Sequence, residues 1–322
     1  MKLVSRLTLI LSLLLPVTTT AHDFEVDGIF YNINGNEATV TYKGTYYFSY
    51  DNEYNGVIVI PETVFHDGTI YSVTAIGNSA FGDCDGLISV TIPNSATTIG
   101  TQAFDGCTAL LYANIGDAVT TIGAQAFNGC TALSRVAIGK SVTSIGTGAF
   151  HNCAALTSID IPNSVTIISS QAFYECCGLK SVTIGMAVKT IGNDAFFSAQ
   201  SQTIETITCR AMTPPAWNNQ YVFRPNVYQQ ATLHVPIGCQ QAYQLSSWGQ
   251  FMTIIGDVSN DNTNGDVNGD GEVNISDANS VIDVVIMGGN AGHTRIPAAD
   301  INGDGEVNIG DVNAIIKMIL GQ

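Results

Sequence analysis

One short element, Ile-Gly-x-x-Ala-Phe, fixes what this chain can fold into, because it returns at an unvarying interval. It stands at Ile76–Phe81, Ile99–Phe104, Ile122–Phe127 and Ile145–Phe150, then at Ile168–Phe173 with Ser169 in the glycine position, and at Ile191–Phe196. Every step is 23 residues. Cys84, Cys107, Cys130, Cys153 and Cys176 follow the first five phenylalanines by three positions, and Leu87, Leu110, Leu133, Leu156 and Leu179 follow three later. A register kept this long marks a solenoid. Each unit holds a short strand such as Leu87–Ile92 and a second extended piece such as Val119–Ile122. Neither buries its apolar side alone, so neighbours stack to close a common core. Equivalent residues then form ladders at roughly the 4.8 Å strand separation. Ile99, Phe104, Cys107, Leu110 and Ile115, with their counterparts, are the expected ladder residues. Offset stacking of the phenylalanines contributes about 0.5–1.5 kcal/mol per pair. Gly100, Gly123 and Gly146 read as turn positions where a side chain would obstruct the bend.

The repeat resembles the BspA-like leucine-rich repeat family, whose unit reads IGxxAFxxCxxLxxVxIP. The resemblance covers residues 73–209 and implies a mainly β leucine-rich-repeat solenoid. Residues 22–72, with Val59-Ile60-Pro61-Glu62, resemble that family's N-terminal strand cap. Residues 210–256, with Pro214-Pro215, Val235-Pro236 and Trp248, resemble its closing cap. The sixth unit departs from the pattern: Ala199 replaces the ladder cysteine and extra residues precede Ile204. Terminal repeats are expected to be atypical because they present a polar end.

The chain has eight cysteines. Five share one periodic core position, where cysteine behaves as a small buried hydrophobe. Cys209 and Cys239 lie outside the ladder, and a disulfide between them is left open. Cys177 has no assigned role. Adjacent Cys176-Cys177 is not the ligand spacing of a zinc site.

The outward positions of the first strand read by column as Ser89, Tyr112, Arg135, Ser158 and Ser181, beside Thr91, Asn114, Ala137, Asp160 and Thr183. This face is small, polar and nearly neutral. Solenoid faces bind proteins or glycans along their length, but a solvated sheet face needs no ligand. Tyr112, Arg135 and Asp160 are its distinctive side chains and its candidate partner-binding residues. A further column, Thr97, Thr120, Thr143 and Thr166, reads as strand propensity.

Beyond Gly256 the composition turns to Asp, Asn and Gly, with residues 257–264 as a linker. Two loops follow, 34 residues apart. The first carries Asp266, Asn268, Asp270, Glu272, Asn274 and Asp277, and the second Asp300, Asn302, Asp304, Glu306, Asn308 and Asp311. Oxygen ligands at positions 1, 3, 5, 7, 9 and 12 with glycine at 6 match an EF-hand calcium loop. Calcium, a hard cation, takes six to eight oxygens, and position 7 supplies its backbone carbonyl, so the Glu272 and Glu306 side chains need not coordinate. Each loop leads into an apolar helix, Ala278–Met287 and Val312–Leu320, with Asp277 and Asp311 as N-cap carboxylates. No helical pattern precedes either loop, so these are half EF-hands expected to hold two Ca²⁺ ions. The alternative, an Asx-rich turn without metal, loses ground when two complete copies occur.

This tandem over residues 265–322 resembles the type I dockerin module. That resemblance implies a small all-α domain that folds with calcium and docks onto a cohesin-type receptor on a scaffold or cell surface. It also implies that positions 10 and 11 of each loop help choose the partner. Here they are Ile275-Ser276 and Ile309-Gly310 in place of the frequent hydroxyl pair, which leaves the partner's identity open.

The remaining features bound the function. Lys2 and Arg6 precede an apolar run, Leu7–Val17, that ends in Thr19-Thr20-Ala21, the layout of a signal peptide over residues 1–21. The run is shorter than the roughly 20 residues of a membrane span. Secretion, with no transmembrane segment in the mature chain, is the expectation. Net charge is −16, and residues 257–322 contribute −9 of it, with 11 acidic against 2 basic residues. Such acidity disfavours nucleic acid. Glycoside hydrolysis needs two facing carboxylates, but Asp and Glu recur in no ladder of the repeats. Asp23, Glu25 and Asp27 alternate on what reads as a solvated cap strand. The five histidines are scattered singly, and no nucleophile elbow or phosphate loop is present. The sequence therefore points to a non-catalytic, secreted binding protein. An accessory component of a polysaccharide-degrading complex is the alternative.

Overall fold

The computed structural model describes residues 22–44, 53–200, 203–217, 221–258, 275, 278, 279, 281, 282 and 308–320. Its organising feature is a column of aromatic rings. Phe81, Phe104, Phe127, Phe150, Phe173 and Phe196 stack ring on ring at 4.7–5.1 Å, tilted by no more than 13°. Tyr54 starts the column below Phe81 at 4.3 Å, and Phe223 extends it above Phe196 at 5.2 Å. All of these rings are buried. Around them the periodic Ile, Ala, Cys and Leu positions fill one continuous core.

Each coil contributes two strands. The back sheet runs through Thr69–Ile76, then the two-residue strands Thr98–Ile99, Thr121–Ile122, Ser144–Ile145, Ile167–Ile168 and Thr190–Ile191, all parallel and in register. It begins with the antiparallel cap strands Phe24–Val26, Ile29–Asn34 and Glu37–Thr41. Asp27 and Gly28 form the first cap turn, both at positive φ (51° and 78°), so Asp27 lies beyond the strand that the alternation with Asp23 and Glu25 suggested.

The front is two sheets, not one. Gly56–Val59, Leu87–Thr91, Tyr112–Asn114 and Arg135–Ala137 form the first. Ser158–Asp160, Ser181–Ile184, Thr206–Cys209, Thr232–Pro236 and Thr253–Val258 form the second. Residues 210–256, read from the sequence as a closing cap, thus add two more parallel front strands. Helices Pro225–Gln230 and Gln240–Gln244 and the buried Trp248 cover this end of the core.

Gly100, Gly123 and Gly146 are not left-handed turn residues, since none has positive φ. They are closeness positions. A Cβ on Gly123 would lie 2.5–2.7 Å from the Gly100 and Thr101 backbone, and one on Gly146 2.6–2.7 Å from the Gly123 and Ala124 backbone. Coil stacks on coil there with no room for a methyl group. Left-handed backbone is taken instead by Ser79, Gln102, Gln125, Gln171 and Asp194, another periodic column.

The threonine column also has a cause other than strand propensity. Thr97, Thr120, Thr143 and Thr166 lie outside the short strands, and each Oγ1 donates to the carbonyl of the preceding member, beginning at Thr74, at 3.1–3.2 Å. Each backbone N–H donates to the same carbonyl at 2.8 Å. Threonine here ties coil to coil with a second hydrogen bond.

Candidate binding faces

The periodic cysteines belong to the core. Cys107, Cys130, Cys153 and Cys176 are fully buried, and each thiol donates to a phenylalanine carbonyl, of Phe81, Phe104, Phe127 and Phe150, at 3.0–3.3 Å. The Cys107 thiol is pushed well up by its hydrogen bond to Cys130 and by burial, and the Cys153 thiol by burial and its bond to Cys176. Burial raises Cys84 to about 12. These groups stay protonated and make neither nucleophiles nor metal ligands. Cys209 and Cys239 are both free thiols. Cys209 packs against the Tyr243 hydroxyl, which lies 3.1 Å from its sulfur and donates to the Ala211 carbonyl at 2.7 Å. Burial lifts Cys209 to about 11.

The front face places the sequence's candidates on successive coils. Tyr112 pairs with Arg135 in the first sheet, and Asp160 lies on the first strand of the second. Arg135 and Asp160 are exposed, whereas Tyr112 is half-buried. Among the described residues no ion pair joins Arg135 to Asp160. The columns run further than the sequence reading took them. Val57 and Val59, 68% and 64% exposed, precede Ser89 and Thr91. Thr206, Thr208, Thr232 and His234 continue beyond Thr183. His234 Nδ1 meets both oxygens of Asp257, one coil on, at 2.9 and 3.0 Å. The 23-residue separation of His234 and Asp257 was the available signal for that pair. The face is therefore apolar at its first strand, carries Arg135 and Asp160 at its middle, and is hydroxyl-rich beyond.

At the tail, the helix runs Ile309–Ile319. It starts three residues earlier than the apolar pattern suggested, so Asn308 precedes it and Asp311 sits in its first turn instead of capping it. Asn308 Oδ1 accepts from the Gly310 N–H at 2.7 Å, and Asp311 Oδ2 accepts from the Asn308 N–H at 2.8 Å. This reciprocal pair satisfies two N-terminal donors. The Asp311 carboxylate is fully buried, an expensive position for an anion unless a helix terminus or a cation balances it. Hard oxygen donors of this kind suit Ca²⁺. Val312 and Ile315 are buried, as are Ala278 and Val281, while Ile275 and Ile309 are 65% and 64% exposed. Gly310 is half-buried on the same first turn. Asp266, Asn268, Asp270, Glu272, Asn274, Ser276, Asp277, Asp300, Asn302, Asp304 and Glu306 lie outside the described residues.

A parallel-coil solenoid with a polar front face, joined to a tail bearing calcium-loop residues, defines a modular interaction protein. Family models agree. BspA type Leucine rich repeat region matches residues 72–207 in six copies, and Dockerin type I domain matches residues 264–320. The chain is a BspA-type leucine-rich repeat protein with a C-terminal dockerin type I domain. A leucine-rich repeat protein from Bacteroides ovatus shares 26% identity over 67% of the chain, with a TM-score of 0.53. The match spans 56% of that protein's length. A leucine rich cell surface protein from Faecalibacterium prausnitzii (25% identity, 66% of this chain and 70% of that one, TM-score 0.42) and the T. pallidum leucine rich repeat protein (24%, 57% and 86%, TM-score 0.45) are also similar. No curated protein matches the chain. Dockerin type I domains are calcium-binding modules, and both modules serve protein interaction in complex assembly. Among the described residues no helix is long and apolar enough to cross a membrane.

Proposed function

We propose that this is a secreted, non-catalytic adaptor whose repeat face holds a protein or glycan while its tail attaches it to a cohesin-type receptor. The pairing of the two modules in one chain carries the reading: a solenoid whose recurring side chains close its own core, then a calcium-dependent docking unit. In the tail, Asp266, Asn268, Asp270, Asn274 and Asp277 hold one ion through their side chains and Glu272 through its carbonyl. Asp300, Asn302, Asp304, Asn308, Asp311 and the Glu306 carbonyl hold a second. Metal binding and folding are coupled in sites this small. The exposed Ile275 and Ile309, with Ser276 and Gly310 beside them, present the receptor-facing surface.

A second reading is favoured by the hydroxyl rows Ser158, Ser181, Thr183, Thr206, Thr208 and Thr232. Such a surface suits a polysaccharide, and the protein would then be an accessory subunit of a polysaccharide-degrading complex. The test is affinity capture by the full chain on a cohesin panel, in calcium and in chelator. Capture lost on chelation supports the adaptor. Capture that ignores the chelator, or hydrolysis of any polysaccharide by the pure protein, overturns it. Binding of the same protein to a glycan array or to matrix proteins separates the two ligand classes.

A further inference from the structure

The division of the front into two sheets has a local cause. After each front strand the chain passes a position occupied in successive coils by Pro93, Gly116, Gly139, Pro162 and Gly185. A Cβ on Gly116 would collide with the Pro93 carbonyl oxygen, one on Gly139 with that of Gly116, and one on Gly185 with that of Pro162. The coils approach so closely there that only glycine fits above its neighbour. All three steps onto glycine are hydrogen-bonded across the front. The step from Gly139 to Pro162 places a ring carbon where the others have none, and there the front sheet stops.

Two bonds mark the break. Ile92, Ile115 and Ile161 N–H groups donate to Asn114, Ala137 and Thr183 carbonyls at 2.9 Å. Ile138, their counterpart, makes no such bond among the described residues. Leu111, Ser134 and Lys180 N–H groups donate to Ile88, Leu111 and Thr157 carbonyls at 2.8–3.2 Å, and again the counterpart, Thr157, does not. Val136 and Ile138 are half-buried, whereas Ala113 and Ile115 below and Ile159 and Ile161 above are buried.

The back of the same step stays closed. Ser144–Ile145 pairs with Ile167–Ile168, the Thr166 N–H donates to the Thr143 carbonyl at 2.8 Å, and Phe150 and Phe173 stack at 5.1 Å. Ser169, which stands for glycine in the back column, still donates to Ile145 at 3.0 Å. Two other non-glycine neighbours keep their pairing for stated reasons. Pro93 follows the cap strand Gly56–Val59, whose register shifts at Gly56/Val57. Arg210, beyond the sixth repeat, donates its N–H to the Ile184 carbonyl at 2.9 Å, a bond proline cannot make.

We infer that Pro162 splits the binding face into two plates hinged on the back sheet, with Arg135 on one lip and Asp160 on the other. A ligand that touches both lips selects one opening from the accessible range. The hinge goes beyond the adaptor reading and stands whether or not the tail binds a cohesin.

Residue-resolved hydrogen exchange on the full chain in calcium, without ligand, tests it. The Ile138 and Thr157 amides should exchange on the order of tenfold or more faster than those of Ile115, Ile161, Ser134 and Lys180. Pro162→Gly should slow those two amides to the level of their counterparts and leave the rest unchanged. Gly185→Pro should move fast exchange to Ile161 and Lys180. Uniform protection in the unmodified protein overturns the inference by itself, even if a variant fails to fold. Persistence of fast exchange in a folded Pro162→Gly protein overturns the assignment to proline.

Discussion

Replacing Phe127 by alanine tests the aromatic column as the element that couples the coils. Phe127 is fully buried, 4.8 Å from Phe104 and 5.1 Å from Phe150, with ring planes within 6° of both. Truncation forfeits about 1.5–3 kcal/mol of apolar burial and two stacked contacts of about 0.5–1.5 kcal/mol each. The expected cost is therefore about 3–6 kcal/mol, overlapping the ~3–5 kcal/mol of typical Phe→Ala core truncations. Domains are stable by only about 5–15 kcal/mol, so the loss is a large share. In a solenoid each coil leans only on its neighbours, and a central defect uncouples the two ends. Both tryptophans, Trp217 and Trp248, lie beyond the sixth repeat, stacked at 4.4 Å. Urea unfolding followed by tryptophan fluorescence thus reports one end, while far-UV circular dichroism reports the whole. The variant should unfold at lower urea, with the two signals no longer coincident. Coincident transitions with a loss under ~1 kcal/mol, the size of an ordinary substitution, would refute the coupling role.

Four further outcomes follow from named contacts. Gly123→Ala sets a methyl group against the Gly100 and Thr101 backbone, which cannot retreat without parting the coils, and should cost about 1–3 kcal/mol in the same titration. Thr120→Val keeps strand propensity but removes the Oγ1 bond to the Thr97 carbonyl. A loss of about 0.5–1 kcal/mol supports the coil-tying role, and a neutral result returns the column to propensity. The Cys84 thiol ionises near 12 when folded against an ordinary 9.0, so above pH 9 the unfolded chain binds fewer protons than the folded one. Stability is complete below pH 9 and should fall as pH rises toward 12, seen as a dropping urea midpoint that Cys84→Ala makes shallower. Chelation of the full chain should abolish tail helicity over Ile309–Ile319 while leaving the solenoid's β signal intact, and Asp304→Ala should weaken calcium uptake measured by calorimetry.

The fold was legible because its information is periodic. A position that recurs every 23 residues is seen six times, so Phe104, Cys107 and Leu110 could be assigned to one ladder without any knowledge of the backbone. The reasons behind individual positions were less legible, since one residue type serves several physical ends. Glycine at 123 reads as a bend, yet its φ is ordinary and its role is to let one coil touch the next. Threonine at 120 reads as a strand former, yet its hydroxyl bonds a carbonyl 23 residues back. Asp311 reads as a helix cap because the apolar run starts after it, but Asn308 precedes the helix and Asp311 answers it from the first turn. Each of these depends on distances between chain segments, which pattern alone does not carry.

The same limit explains why the middle of the front face looked uniform from the sequence. Read down the column, Pro93, Gly116, Gly139, Pro162 and Gly185 look interchangeable, all turn-forming residues after a strand. They are not interchangeable once the coil spacing is fixed. Where glycine lies above its neighbour the carbonyl below occupies the space a Cβ needs, so a proline at 162 must lift its coil or push the one beneath. Repetition makes the core robust because every rung repeats the same solution. It also means that a single departure from the repeat cannot be shared among rungs and is confined to one step. Arg135 and Asp160 flank that step, and they are the charged members of the two front-face columns through the repeats. Charge on a face that is otherwise hydroxyl and apolar thus coincides with the one place where its two halves can part. A ligand gripping there would feel both the electrostatics and the opening, and the selectivity of this face should depend on residue 162 as much as on the residues that touch the ligand.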